Sequence, residues 1–279
     1  MGYSGVDLTL IEWPHRAVVR KQARHVAQSE RLRQQARKLA WAHAAGFRCP
    51  AVRDDGIEDG LYWFDMDYIP GESLANGLIS GRAIDWPKVV GQVAEVLLRF
   101  RAYADAMLDP ATFVDKLADI RDRCAGRDVL RPLHQRLDGA VGALVRLDWT
   151  CVPGSASHGD MTLENILLRP DGSLTFIDFD VPQQSSFALD IGKIYQDLLG
   201  QWFLRHLVLR DSRAVDLLNA RLNLARAALH FDAEFAAMLP GGAGRMRQFA
   251  AFHLMRTLPY AADSAVPGFV LDRVEALIG

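Results

Sequence analysis

Residues 157–190 read SHGDMTLENILLRPDGSLTFIDFDVPQQSSFALD, two short apolar runs set among acidic loops. Asp160 and Asn165 stand five positions apart on a polar segment. Ile166-Leu167-Leu168 and Leu174-Thr175-Phe176-Ile177 have the character of two short strands, and Pro170-Asp171-Gly172-Ser173 is the turn between them. Such a hairpin brings Asn165 and Asp178 to one end, although thirteen positions separate them. The set suits transfer of a phosphoryl group, which asks a protein mainly to position the nucleophile and neutralise phosphate charge. Mg²⁺ takes oxygen ligands, typically one or two from the protein with the rest from phosphates and water. Asp160 is the candidate to orient a hydroxyl and accept its proton. Asn165 and Asp178 are the candidates to hold the metal. Reading the stretch as a plain surface hairpin leaves its polar loop between apolar strands unexplained.

At these residues the chain resembles the aminoglycoside phosphotransferase and choline kinase-like family, which has a protein-kinase-like fold. His158-Gly159-Asp160, four residues and Asn165 match the family's loop, and Asp178 follows its apolar strand as the family's metal-binding Asp does. Asp190-Ile191-Gly192 fits the further Asp that opens a helix after the metal loop. The resemblance implies an α+β fold of two lobes, a small β-rich one over residues 1–69 and a larger, mainly helical one over residues 70–279. It implies ATP (with GTP left open) and Mg²⁺ as cofactors, Asp160 as catalytic base, and Asn165 and Asp178 as metal ligands. His158 and Asp190 are implied as structural support of the loop. Asp190 also stands where a carboxylate would satisfy the amides at a helix start. Asp180 and Glu164 lie beside the implied ligands and are read as either site residues or surface acids.

Working outward, Gly2-Tyr3-Ser4-Gly5 sits where the fold has its phosphate-covering glycine loop, with Gly5 the candidate. The strand expected ahead of that loop is missing, and a flexible terminus is the competing reading. Leu8-Thr9-Leu10-Ile11 and Ala17-Val18-Val19-Arg20-Lys21 read as strands. Lys21 is the candidate for the fold's phosphate-binding lysine and Arg20 the competitor; being adjacent, they point to opposite faces of a strand. A helix from Ser29, as cap, to about Ala45 has an apolar stripe of Leu32, Ala36, Leu39 and Ala40. The acid that usually pairs with the lysine is absent from that stripe: Glu30 points away, and Gln35 is better aimed. Either Gln35 substitutes for it or the lysine finds another anion. Residues 54–60 read as a polar turn. Met66-Asp67-Tyr68-Ile69, before the break at Pro70-Gly71, resembles the linker whose backbone pairs with adenine.

Beyond Leu74 the pattern turns helical. Asp85 is read as the cap of a helix carrying Val89, Val93, Val96, Leu97, Phe100, Ala104 and Met107. Further helices are read through residues 113–124, 130–144, 190–202, 215–229 and 245–258.

The chain has 279 residues and a net charge of −2, enough for a sizeable core and without the basic excess of a nucleic-acid-binding protein. Three cysteines without metal-ligand spacing read as a reduced, cytoplasmic chain, and neither a membrane span nor a signal peptide is legible. The expected partner is a small-molecule acceptor of the sugar, amino sugar or amino alcohol type. A nucleotide-binding pseudokinase is the first alternative and a protein kinase the second. The eleven residues between Asp178 and Asp190 carry no Ala-Pro-Glu and are short for a peptide platform.

Overall fold

The computed structural model describes residues 6–209, 214–263 and 265–279. Gly5 therefore lies outside the described residues. The chain divides into two compact units, each described by itself: one runs up to Ser73 and takes in Asn165–Gln183, and the other comprises Leu74–Glu164 and Gln184–Gly279.

In the first unit, β1 (Val6–Trp13) and β2 (Arg16–Ala23) form an antiparallel hairpin. β3 (Val52–Glu58) and β4 (Leu61–Asp67) complete a sheet of order β1-β2-β4-β3. Helix α1 (Val26–Ala44) lies against β4 and buries Leu32, Ala36, Leu39 and Ala42. The stripe thus continues through Ala42, and Ala40 faces solvent. Ser29 is not the helix cap: His25 holds that position with no side-chain bond, and the Ser29 hydroxyl instead accepts the Tyr62 amide at 3.1 Å. Residues 54–58 are strand and not turn. β3 is an edge strand with solvent on its exposed side, which is why it tolerates acids. The turn itself shrinks to Asp59 and Gly60, both at positive φ (51° and 77°).

The same unit carries a second sheet of β5 (Glu72–Ser73), β8 (Ile166–Leu168) and β9 (Leu174–Phe176), in the order β5-β8-β9. Ile166 pairs with Phe176 and Leu168 with Leu174, so the hairpin read from the sequence forms in the expected register. Its turn closes through the Arg169 amide to Ser173 O at 2.9 Å, with Gly172 at φ 76°.

The second unit is mainly helical. It comprises α2 (Leu74–Ser80), α3 (Trp86–Arg101), α4 (Ala111–Ala125), α5 (His134–Val145), α6 (Phe187–Leu198), α7 (Arg205–Leu209), α8 (Ala214–Phe235), α9 (Gly242–Met255) and α10 (Ala265–Ile278). One two-stranded ladder joins them, β6 (Ala106–Met107) with β7 (Pro153–Gly154). Asp85 caps α3 by accepting the Lys88 amide at 3.2 Å. The helix stops at Arg101, however, so Met107 lies on β6 and is exposed.

Helix α6 is buried along nearly its whole length and packs against α9. The two approach closely at Gly192, where a Cβ would lie 2.5 Å from Phe249 Cβ and 3.0 Å from His253 Cδ2. Both neighbours are held near their backbones, so the clash cannot be relieved by turning a flexible chain end. Gly192→Ala should accordingly destabilise the fold by about 1–3 kcal/mol, the usual cost of overpacking. Urea denaturation of the variant beside wild type measures it, and an unchanged midpoint would mean the helices can separate without cost.

Candidate active site

The segment His158–Leu163 takes its shape from one face of α6. The Asp190 carboxylate accepts the His158 amide at 2.5 Å and the Gly159 amide at 2.8 Å. One turn on, Lys193 Nζ lies 2.9 Å from Asp160 Oδ1. A further turn on, Asp197 Oδ2 accepts the Leu163 amide at 2.7 Å. Positions 190, 193 and 197 stand at i, i+3 and i+7, one stripe of a helix turning about 100° per residue. Within the loop, the Asp160 amide reaches His158 Nδ1 at 3.3 Å and its carbonyl accepts the Thr162 amide at 2.8 Å. His158 is fully buried, as a loop-fixing side chain would be.

Asp190 is not the cap of α6. Ser186 caps it, accepting the Ala188 amide at 3.1 Å, which leaves the Asp190 carboxylate to the loop. Burial pushes the Asp197 carboxyl up to about 8, and the neighbouring Glu164 adds to the rise. The Leu163 amide, Lys193 and Arg205 oppose it.

In the first unit the hairpin closes by a bond from the Ile177 amide to Asn165 O at 3.0 Å, which brings Asn165 beside the start of the Asp178 turn. Asp178 has a left-handed backbone (φ 62°), a conformation that Asp adopts more readily than most residues. Its carboxylate is ion-paired with Lys21. Lys21 is 5% exposed, so its ammonium needs a close anion, and Asp178 supplies one. Arg20 points to the other side of β2. It bonds Asp65 Oδ1 at 2.8 Å and lies 3.7 Å from the Trp63 ring centre. Of the two adjacent cations, Lys21 meets Asp178 and Arg20 meets Asp65.

The lysine finds another anion, and α1 turns its own donors elsewhere. Arg31 Nη2 and Gln35 Nε2 reach Asp180 at 2.7 and 2.8 Å, and Lys38 donates to the Asp180 carbonyl. Glu30 pairs within its own helix, with Arg33 at 3.0 Å. Burial alone would raise the Asp180 carboxyl, but Arg31, Gln35 and the Val181 amide outweigh it and hold the group below its ordinary value. Asp180 is therefore not a solvated surface acid.

Along the linker, the amides of Asp67 and Tyr68 go to Ala51 O and Ala17 O at 3.0 and 3.1 Å. Ile69 lies past that last sheet bond. Met66 is buried, Asp67 is paired with Arg53 at 2.6 Å, and Tyr68 is exposed.

As a metal site, Asn165 and Asp178 offer one carboxamide and one carboxylate oxygen. That set fits a hard cation which takes most of its ligands from phosphate and water. Among the described residues no group of three or more His, Cys, Asp or Glu forms a metal cluster, so nothing here resembles a zinc centre. Lys193 and Asp197 were missed from the sequence. The available signal was their spacing from Asp190 on a helix otherwise made of Ile191, Ile194 and Leu198.

A unit built on a small antiparallel sheet and a mainly helical unit, with these motifs in this order, define a protein-kinase-like phosphotransferase fold. The family model for the APH phosphotransferase enzyme family matches residues 7–241, and the chain belongs to that family. Solved structures agree on the fold. An aminoglycoside-3'-phosphotransferase of type VIII aligns with a TM-score of 0.55 at 14% identity, covering 97% of this chain and 94% of that one. Choline kinase LicA from Streptococcus pneumoniae aligns at 0.55 and 11%, covering 97% and 89%. Aminoglycoside phosphotransferase APH(3'')-Id from Streptomyces rimosus, in complex with ADP and streptomycin, aligns at 0.53 and 16%, covering 93% and 94%.

Two outcomes follow for the α6 stripe. Asp190→Asn turns an amide group toward the His158 or Gly159 N–H and should cost about 1–3 kcal/mol in a denaturation midpoint. For Asp197 the folded value lies above the unfolded one of about 3.8, so native protein holds the extra proton between them. Wild-type stability should therefore fall relative to Asp197→Asn as pH rises from about 5 to 8, with a limiting slope of about 1.4 kcal/mol per pH unit, and level off above. Parallel urea melts at pH 5, 6.5 and 8 check this; a constant difference would mean that Asp197 is ionised throughout.

Proposed function

We propose that this phosphotransferase moves the γ-phosphoryl group of ATP to a hydroxyl of a small molecule of the sugar, amino sugar or amino alcohol type. The observation that carries the reading is the hairpin end where Asn165 and Asp178 come together, with the buried Lys21 on the latter. Stability of the fold alone would not require a carboxylate, a carboxamide and a buried ammonium at one hairpin end.

Asp160 orients the acceptor hydroxyl and takes its proton. The acceptor oxygen forms a bond to the γ-phosphorus, the bond from that phosphorus to the β–γ bridging oxygen breaks, and ADP leaves. Lys21 holds the α- and β-phosphates. Asn165 and Asp178 hold Mg²⁺, which neutralises phosphate charge when bound. The backbone of Met66-Asp67-Tyr68-Ile69 reads adenine, with the Ile69 amide as donor because those of Asp67 and Tyr68 serve the sheet. His158 and Asp190 brace the loop that carries Asp160.

A small acceptor is favoured over a peptide by the stretch after Asp178. At one end Asp180 is held by α1. At the other, Ser185 Oγ meets Ser157 Oγ at 2.7 Å and donates to Ser155 O at 2.8 Å. Little chain remains for a peptide platform or a phosphorylation-ordered switch.

Asp160→Asn should lower MgATP-dependent turnover by about 10²–10⁴ and leave ATP affinity nearly unchanged. Asp178→Ala should abolish the gain in ATP affinity on adding Mg²⁺. Calorimetric titration of ATP with and without Mg²⁺, beside transfer from radiolabelled ATP to a panel of sugars, amino sugars and amino alcohols, tests both. Labelling of a peptide library with no metabolite accepted would overturn the small-acceptor reading.

A further inference from the structure

We infer that Lys193 is the positioning residue of the Asp160 carboxylate: from α6 it anchors one carboxylate oxygen and keeps the group in its charged, proton-accepting form. The inference rests on the reading of Asp160 as the base, and it extends that reading to a residue outside the loop motif.

The geometry is specific. Lys193 Nζ lies 2.9 Å from Asp160 Oδ1, and the lysine side chain is only 12% exposed against 36% for the aspartate. A lysine this covered is not a solvated surface charge with a passing contact. Its helix is fixed on both sides of it. Asp190 holds the His158 and Gly159 amides three residues earlier, and Asp197 holds the Leu163 amide four residues later. The loop backbone and the lysine are thus referred to one rigid element. The backbone that carries the carboxylate cannot drift relative to the helix that carries the ammonium without breaking those bonds.

The other charged groups around the pair leave Asp160 as the lysine's partner. Asp197 lies on the same stripe; burial raises its carboxyl to about 8, with Lys193 among the groups that oppose the rise. Glu164 acts on Asp197 from the loop. From α9, His253 is buried and held well below its ordinary value, first by desolvation and then by Lys193 and Arg256, so it adds no cation. His158 precedes on the loop and offers Nδ1 to the Asp160 amide, which marks that nitrogen as unprotonated. Lys193 is thus the cation that meets the Asp160 carboxylate from α6.

An opposite charge at this distance favours the ionised carboxylate. Removing it should raise the pH at which Asp160 gains its proton, moving the acid limb of the rate profile upward. Anchoring one oxygen also limits how the other meets the acceptor, so turnover should suffer more than nucleotide binding.

The test follows Asp160 directly. Protein carrying ¹³C at the aspartate carboxyls is titrated by NMR, with Asp160→Asn identifying the resonance, in wild type, Lys193→Met, Lys193→Gln and Lys193→Arg. In the Met and Gln variants the Asp160 midpoint should rise by about one pH unit, and in the Arg variant it should stay near wild type. In parallel, MgATP turnover is measured against pH, with water and the metabolite panel as acceptors. The acid limb should move by the same amount, kcat should fall about 10- to 100-fold, and KM for ATP should change little. An Asp160 midpoint unmoved in both uncharged variants overturns the inference, whatever the activities. A melting temperature lowered with that midpoint unmoved would make Lys193 merely structural. Wild type inactive with every acceptor at every pH would overturn the proposed reaction instead, and the titration would still decide Lys193. Should Lys193→Met fail to fold, Lys193→Gln, which keeps a donor without the charge, carries the measurement.

Discussion

The helix α6 answers the backbone amides of the His158–Leu163 loop with carboxylates, and the candidate chemistry of this chain depends on that match. A loop of this kind presents N–H groups that no strand or helix of its own satisfies, and each left buried without an acceptor would cost about 1–3 kcal/mol. Asp190 accepts two of them and Asp197 a third, from one face of one helix. The helix is released for this work because Ser186 caps its start. The loop that carries Asp160 is thus held by groups outside it.

The first unit distributes charge by a different rule. In the kinase-like pattern a helix acid holds the strand lysine. Here the helix contributes donors, through Arg31, Gln35 and Lys38, and the acids that meet Lys21, Arg31 and Gln35 lie on the segment after β9. Asp178 takes the lysine and Asp180 takes the helix. The two acids are two positions apart, so one short segment joins β2 to α1 by charge. The buried Lys21 finds an anion without requiring a Glu on the helix, which accounts for the missing acid in electrostatic terms.

What was legible in the sequence was mainly what is local. The hairpin could be read because its strands, its Asp-Gly turn and its end residues lie within fourteen positions, and turn chemistry fixes the register. Asp85 could be read as a cap for the same reason. The misreadings have a common cause, which is that partners far along the chain decide them. Ser29 looks like a cap until Tyr62 claims its hydroxyl, and residues 54–58 look like a turn until β4 pairs with them. Asp190 looks like a helix-start acid until the loop's amides reach it. Lys193 was hidden for a further reason: a lysine on a helix is ordinarily a solvated charge, and nothing within a few positions marks this one as covered.

The stripe Asp190, Lys193, Asp197 also shows why a helix tolerates three ionisable groups on a buried face. Three charges of mixed sign cannot all be neutralised by one another at these positions, and an unpaired buried charge is costly. The costs are divided instead. Asp190 spends both oxygens on amides, Lys193 finds its anion outside the helix, and Asp197 avoids a full charge by holding its proton near pH 7. Exchanging Asp197 for an apolar residue would spare its desolvation but abandon the Leu163 amide, and exchanging Lys193 would remove the ammonium that meets Asp160 Oδ1. The face is polar because the loop it carries is polar.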